Sequence, residues 1–276
     1  MTDGRWIDIA DGVHARRYGE LDLTIGLVLG TRRCLVVDSR GDAVQGAELA
    51  AAVRELTVLP WTLVYTHAHF DHCFGTTPFL PCDVWAHEGC AAELAADGEN
   101  ARHLRIASYR AEGKPDIAES LENTTITPPN RLLSTETTLD LGGRTVTLAH
   151  PGPAHTGHDL VVHVPDAGVV FAGDTVEHGP HGFTADSFGT DTDLTGWPHA
   201  LDAILALSPR VVVPGHGDPV DAAYVAKHRD GLVRVVELKG AVEAGELAVD
   251  DALDRSPYPA DVTRAALAGA ATPSPT

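Results

Sequence analysis

The densest chemistry in this 276-residue chain is Thr66-His67-Ala68-His69-Phe70-Asp71-His72, directly after the apolar run Trp61-Thr62-Leu63-Val64-Tyr65. An extended backbone points residues i and i+2 the same way, so His67 and His69 can offer two imidazoles to one metal ion. Asp71 and His72 then turn the corner. If the chain enters a helix there, these two side chains face a second ion beside the first. The plainer reading is a polar loop of solvated histidines, and the alternation together with the preceding strand argues against it.

The remaining ligands must come from elsewhere, and three later loops offer them. His150-Pro151-Gly152-Pro153-Ala154-His155-Thr156-Gly157-His158-Asp159 lies between two strand candidates, and His155 is the choice for a third ligand of the first ion. Gly168 to Ala172 reads as a buried strand that stops at Gly173-Asp174-Thr175. Arg210 to Val213 likewise runs into Pro214-Gly215-His216-Gly217-Asp218. In each case an apolar strand is expected to end at a glycine turn and hand over one ligand-type residue, as sites in sheet proteins require.

The elements that position these residues follow from periodicity. Trp6 to Arg17, Leu21 to Gly30 and Cys34 to Asp38 alternate as an antiparallel opening. Asp42 to Thr57 fits a helix, so that with Trp61 to Tyr65 a β-α-β unit delivers the histidine motif. Asp83 to Ala86 reads as a strand, Glu88 to Ala96 as one helix and Ala101 to Ala111 as another. The segment 97–130 is polar, broken at Gly113-Lys114-Pro115, and reads as an inserted helical or loop segment, either a lid that shapes substrate access or a packed connection. Thr137 to Leu141 and Arg144 to Ala149 flank Gly142-Gly143 as a hairpin, and Leu160 to Val164 adds a strand. Gly196 to Ser208 and Ala222 to Glu246 read as covering helices, with short helices over Val249 to Ala268. This describes a single domain over 1–270 with a disordered tail at 271–276.

Composition narrows the class. The chain is 43% apolar, which suits a large globular core, and no run is long enough to span a bilayer. Its formal net charge is −19, which repels phosphate backbones and anionic lipid and leaves a small-molecule substrate as the expected partner, with no nucleic acid and no membrane. A homodimer is compatible with this surface. Local basic patches are expected around Arg102, Arg105 and Arg110. The N-terminus lacks an apolar stretch after a basic start, so the expected compartment is the cytoplasm. Cys34, Cys73, Cys82 and Cys90 form no C-x-x-C pair and read as core thiols. Cys73 in particular points away from His72 if a helix begins there.

The ordered set His67-x-His69-x-Asp71-His72, His155, Asp174 and His216 resembles the five-motif signature of the metallo-β-lactamase superfamily. The resemblance runs from about Leu23 to Pro219 and fills all seven positions with the expected residue types. It implies an α/β fold, a four-layer αββα sandwich of two mixed β-sheets with the site in a shallow groove at one edge. It also implies a first ion on His67, His69 and His155, a second on Asp71, His72 and His216, and Asp174 bridging both. Two Zn2+ per chain would suit these donors, and a shared hydroxide, oriented by Asp71, would attack an ester, thioester, lactone or related bond.

Within the superfamily the β-lactamases generally carry a cysteine or a non-ligand where this chain has Asp174. The bridging aspartate with His72 is similar to the glyoxalase II and lactonase branch, although the loop His155-Thr156-Gly157-His158 is one residue shorter than that branch's H-T-x-G-H. Alternatives are a persulfide-dioxygenase-like oxidoreductase holding one Fe2+ on His67, His155 and Asp174, a β-lactamase-like amide hydrolase, and a non-catalytic metal-binding protein. His178 and His181 are expected to line the groove as substrate-binding residues, with His181 as a proton donor to the leaving group. His158 is expected to support the ligand shell. Asp218 and Asp221 read as turn and cap residues, and the other histidines as surface or packing groups.

Overall fold

The computed structural model describes residues 4–179 and 182–268, so His181 and the tail expected over 271–276 lie outside the described residues. Strands β1 (Arg5–Ala10), β2 (Val13–Arg17), β3 (Thr24–Leu29) and β4 (Cys34–Val37) pair antiparallel in that order. Helix α1 (Ala43–Leu56) then crosses to β5 (Trp61–Val64), which lies parallel to β4 and completes the expected β-α-β unit. The Asp42 carboxylate caps α1 by accepting from the Val44 and Gln45 amides, both at 2.9 Å. A one-turn helix α2 (Phe70–Cys73) precedes β6 (Val84–His87), α3 (Glu88–Ala111), α4 (Pro115–Glu122) and β7 (Arg131–Leu133), and β6 and β7 extend the sheet in parallel.

The second sheet contains β8 (Glu136–Asp140), β9 (Thr145–Ala149), β10 (Val161–Val164), β11 (Val169–His178) and, after α5 (Trp197–Ala206), β12 (Val211–Gly217). Its order is β12-β11-β10-β9-β8, with β11 and β12 parallel and the other pairs antiparallel. The β8–β9 hairpin turns at Gly142 and Gly143, both at positive φ, a conformation that side chains resist. Helices α6 (Ala222–Glu243), α7 (Val249–Arg255) and α8 (Ala260–Ala268) follow.

Strand alternation separates three apolar cores. Leu27, Val36 and Leu63 pack with Leu49, Val53, Ile106 and Leu121 of the helices outside the first sheet. Their chain neighbours Val28, Leu35, Val37 and Val64 pack with Val162, Val164, Phe171 and Val213 of the second sheet. On the far side Val161 and Val170 meet Trp197, Leu201, Ile204 and Leu232. Three cores between four layers make an αββα sandwich of two mixed sheets, as the resemblance implies. Among the described residues no helix is long and apolar enough to cross a membrane.

Two local expectations are corrected, the helix break at 97–100 and the strand ends at Gly173 and Gly215. The two helices expected over 88–96 and 101–111 are one helix, α3, running through Asp97-Gly98-Glu99-Asn100. An interior glycine costs about 1 kcal/mol, whereas burying side chains such as Leu94 and Ile106 contributes roughly 1.5–3 kcal/mol each, so packing carries the helix across. Gly98 itself is buried, and a Cβ there would lie 3.3 Å from Ile126. The segment 97–130 is therefore largely part of the outer helical layer, with α4 and the edge strand β7 beyond the expected break. Finally, neither β11 nor β12 stops at its glycine; both continue through the ligand-type residues.

Candidate metal centre

The sheet edge where β4, β5, β11 and β12 end collects the side chains singled out above. After β5 the backbone bends at Thr66, His67 and Ala68 rather than staying extended, and α2 begins at Phe70 and carries Asp71 and His72. The imidazoles of His67 and His69 still meet, with ring centroids 4.6 Å apart. Asp174 projects from a bulge. Between Gly173 and Glu177 β11 advances four residues while its partner β12 advances two, from Pro214 to His216. Gly173 sits at φ +53° within that bulge.

Two donor sets result, His67, His69, His155 and Asp174 in one and Asp71, His72 and His216 in the other. In the first, His155 Nε2 is 3.0 Å from His69 Nδ1, and Asp174 Oδ2 is 3.6 Å from both His67 Nε2 and His155 Nε2. In the second, His216 Nε2 lies 3.4 Å from both His72 Nε2 and an Asp71 oxygen. Asp174 reaches this set too, with Oδ1 3.2 Å from His72 Nε2 and Oδ2 3.2 Å from His216 Nε2. Tetrahedral zinc with ligands at roughly 2.0–2.1 Å would place its donors about 3.3 Å apart, so these separations fit donors that could surround metal ions. The buried His67 Nε2 and Asp174 Oδ1 lack a well-formed hydrogen bond, as donors turned toward an ion would.

Each imidazole is held from behind by its other nitrogen. His67 Nδ1 meets Thr66 Oγ1 at 3.0 Å, His155 Nδ1 donates to the Ser187 carbonyl at 3.0 Å, and His216 Nδ1 to the Leu21 carbonyl at 2.7 Å. His69 Nε2 faces Asp191 at 3.3 Å, and His72 Nδ1 faces Asp38 at 2.9 Å. Such partners fix ring orientation and leave the inward nitrogen free to ligate. Asp38, Asp191, Thr66 and Ser187 were not anticipated. Asp38 ends an apolar strand just as the anticipated ligands do, a signal that could have found it.

The charges of the metal-free site follow from this crowding. Burial opposes a charge on His216, but Asp174 and Asp71 overcome it and raise its pKa to about 10. His72 is raised in the same way by Asp174, Asp71 and Asp38 against burial. Burial, with His72 beside it, holds His67 well below its usual value, and burial with His69 nearby lowers His155 to about 4. Asp174 is held low against burial by His216, His72 and His67, while burial and Asp174 push the neighbouring Glu177 up to about 8.

The groove over the site has a volume of about 260 Å3, and a second cavity of about 530 Å3 borders it along α3. Arg105 lines both and lies over the Phe70 ring at 4.3 Å. Arg102 and Arg110 are paired with Glu99 and Glu122, so the basic patch expected around these arginines is largely neutralised. His178 ends β11 and lines a separate cavity, its ring edge-on to Tyr224, rather than the groove. The Ala68 amide donates to His158 Nε2 at 3.3 Å, bracing the histidine loop, and Asp221 caps α6 while Asp218 pairs with Arg17. Cys73 Sγ faces the Ala68 and His69 carbonyls and stays outside both donor sets.

Residues 19–216 match the family model of the metallo-β-lactamase superfamily. The chain belongs to that superfamily. A metallo-β-lactamase type 2 of Bacteroides fragilis is 33% identical over 117 residues, which are 41% of this chain and 44% of that protein, less than half its length. A metallo-β-lactamase type 2 of Bacillus sp. (strain 170) is 28% identical over 221 residues, 78% of this chain and 74% of that protein. A solved metallo-β-lactamase from Pontibacter korlensis superposes with a TM-score of 0.63 at 20% identity, covering 84% of this chain and 99% of its own. The DIM-1 metallo-β-lactamase gives 0.64 at 18% identity, covering 84% and 98%. At these identities the two structures speak for the metallo-β-lactamase fold alone.

Proposed function

We propose that this metallo-β-lactamase-fold chain is a dinuclear zinc hydrolase acting on an ester, thioester or lactone bond of a small molecule. His67, His69 and His155 would hold one ion, Asp71, His72 and His216 the other, and Asp174 both. The observation that carries the reading is the shared Asp174 carboxylate, with imidazole nitrogens of both donor sets 3.2–3.6 Å from its oxygens. Zinc bound to such donors supplies Lewis acidity and brings the pKa of a bound water toward about 7.

The chain's own residues set the rest. Thr66, Asp38, Ser187, Asp191 and Leu21 orient the imidazoles, as described above. Asp71 places a carboxylate beside His72 and His216, where it can take a proton from the attacking water. The groove of about 260 Å3 admits a compact reacting group, and the larger cavity along α3 can take the remainder of the substrate.

A second reading, hydrolysis of a β-lactam amide, is favoured by the two sequence relatives, both metallo-β-lactamases type 2. Against it stands Asp174, at the position where the sequence resemblance gives β-lactamases a cysteine or a non-ligand. Metal analysis followed by a panel of lactones, thioesters, simple esters, phosphodiesters and β-lactams separates these readings. About two zinc ions per chain with turnover of the ester class supports the proposal. Turnover confined to β-lactams favours the second reading, and one iron per chain with oxygen uptake overturns both.

A further inference from the structure

The largest cavity described, about 670 Å3, lies away from the donor sets, between α6 and the link from α7 to α8. Tyr224, Lys227, His228, Gly231 and Arg234, at i, i+3, i+4, i+7 and i+10, form one face of α6 along it. Arg255, at the end of α7, stands on the opposite wall. The notch depends on missing side chains. A Cβ at Gly231 would lie 2.4 Å from the Tyr258 hydroxyl, and one at Gly182 would lie 2.8 Å from His228 Cε1.

Three cations on one rim are notable in a chain carrying 20 Lys and Arg against 39 Asp and Glu. Among the described residues Lys227 and Arg255 have no ion-pair partner, while Arg234 is paired with Glu237. Asp230, the one carboxylate among the described rim residues, is paired with Arg229 at 2.7 Å. The wall also holds an unsatisfied group. His228 is 5% exposed, stacks on Phe183 with ring centroids 3.9 Å apart, and its buried Nε2 has no hydrogen-bond partner among the described residues. Lys227 and Arg255 are exposed and without an ion-pair partner among the described residues, so both are available to an anion in this cavity through charge-assisted contacts.

We infer that this cavity is a phosphate-class oxyanion site, contacted by Lys227 from α6 and by Arg255 from the end of α7. Gly179 and Gly182 border both this cavity and the metal groove and are joined by paired backbone hydrogen bonds of 3.2 Å. The anion can thus be a free ion or the end of a longer molecule whose other end enters the groove. The inference does not depend on which bond the metal centre cleaves.

Equilibrium dialysis of labelled inorganic phosphate tests it, using zinc-loaded protein and protein stripped by chelation. One phosphate per chain is expected in both states, and the double variant Lys227→Ala/Arg255→Ala should weaken binding by at least ~10-fold. Lys227→Arg/Arg255→Lys should retain it, and the melting temperatures of both variants report that the fold is intact. Phosphate raising KM for an anionic-tailed substrate but not for a neutral ester marks the site as a substrate subsite; unchanged KM for both marks a free-anion site. Phosphate bound only by the zinc-loaded protein, or bound equally by the double alanine variant, overturns the inference.

Discussion

Asp38 Oδ2 stands 2.9 Å from His72 Nδ1, and the same carboxylate accepts from the Thr66 amide at 2.7 Å and the Thr66 hydroxyl at 2.9 Å. One buried side chain at the end of β4 therefore orients members of both donor sets, His72 directly and His67 through Thr66. Asp38→Asn preserves shape but replaces one acceptor oxygen with a donor. It is expected to weaken zinc binding by about 10–100-fold, read by competition with a chromogenic chelator. Equal zinc affinity in variant and wild type would exclude a positioning role.

Gly215 makes the Asp174 position possible. A Cβ on Gly215 would lie 1.9 Å from Asp174 Oδ1, closer than any contact tolerates. Gly215→Ala must push that carboxylate away from His72, and in the proposed two-ion site, where Asp174 would serve both ions, the loss would fall on both. Metal content should drop for the pair together, with the circular dichroism of the fold retained. Selective loss of one ion with the other undiminished would contradict a shared carboxylate.

Metal uptake should be linked to protons with a definite sign. In the metal-free protein His216 has its pKa raised to about 10, burial being outweighed by Asp174 and Asp71, and His72 is raised likewise. Both imidazoles must become neutral to ligate, so zinc binding near neutral pH is expected to release about two protons per chain and to tighten as pH rises. Calorimetry in buffers of differing ionisation enthalpy measures this. The stripped protein has the opposite trend. His216 is raised above its unfolded value, so its ion pairing stabilises the fold fully below about pH 6.5 and is lost as pH rises toward 10. A zinc affinity independent of pH between about 6 and 8 would refute the linkage.

The candidate ligands that the fold brings together were legible because their signal is local: His67 to His72 is one short run, and His155, Asp174 and His216 each adjoin an apolar strand. What surrounds them was less so. Gly173, Pro214 and Gly215 read as strand terminators, yet each sits inside β11 or β12, where the parallel pairing continues past a bulge. Asp97 to Asn100 read as a helix break because propensity cannot register the packing of Gly98 on Ile126. Asp38 carries the same local mark, a carboxylate ending an apolar strand, but its partners are 28 and 34 residues away and only the parallel alignment of β4 and β5 brings them to it.

The buried His228 imposes an acid limit on the fold that is separate from the metal. Burial, with His178 and Lys227 nearby, lowers its pKa to about 3, well under the unfolded value of about 6.5. The unfolded chain therefore binds a proton that the folded chain refuses. Its contribution is fully present above about pH 6.5 and is lost as pH falls toward 3, at about 1.4 kcal/mol per pH unit. His158, lowered to about 4 chiefly by burial, adds a similar slope over a narrower window. His228→Phe keeps an aromatic ring against Phe183 and removes one titrating group. Its stability in denaturant, measured on stripped protein, should fall less steeply below pH 6.5 than that of the wild type. Parallel slopes for the two proteins would show that His228 is protonated in the folded state and that its burial imposes no such limit.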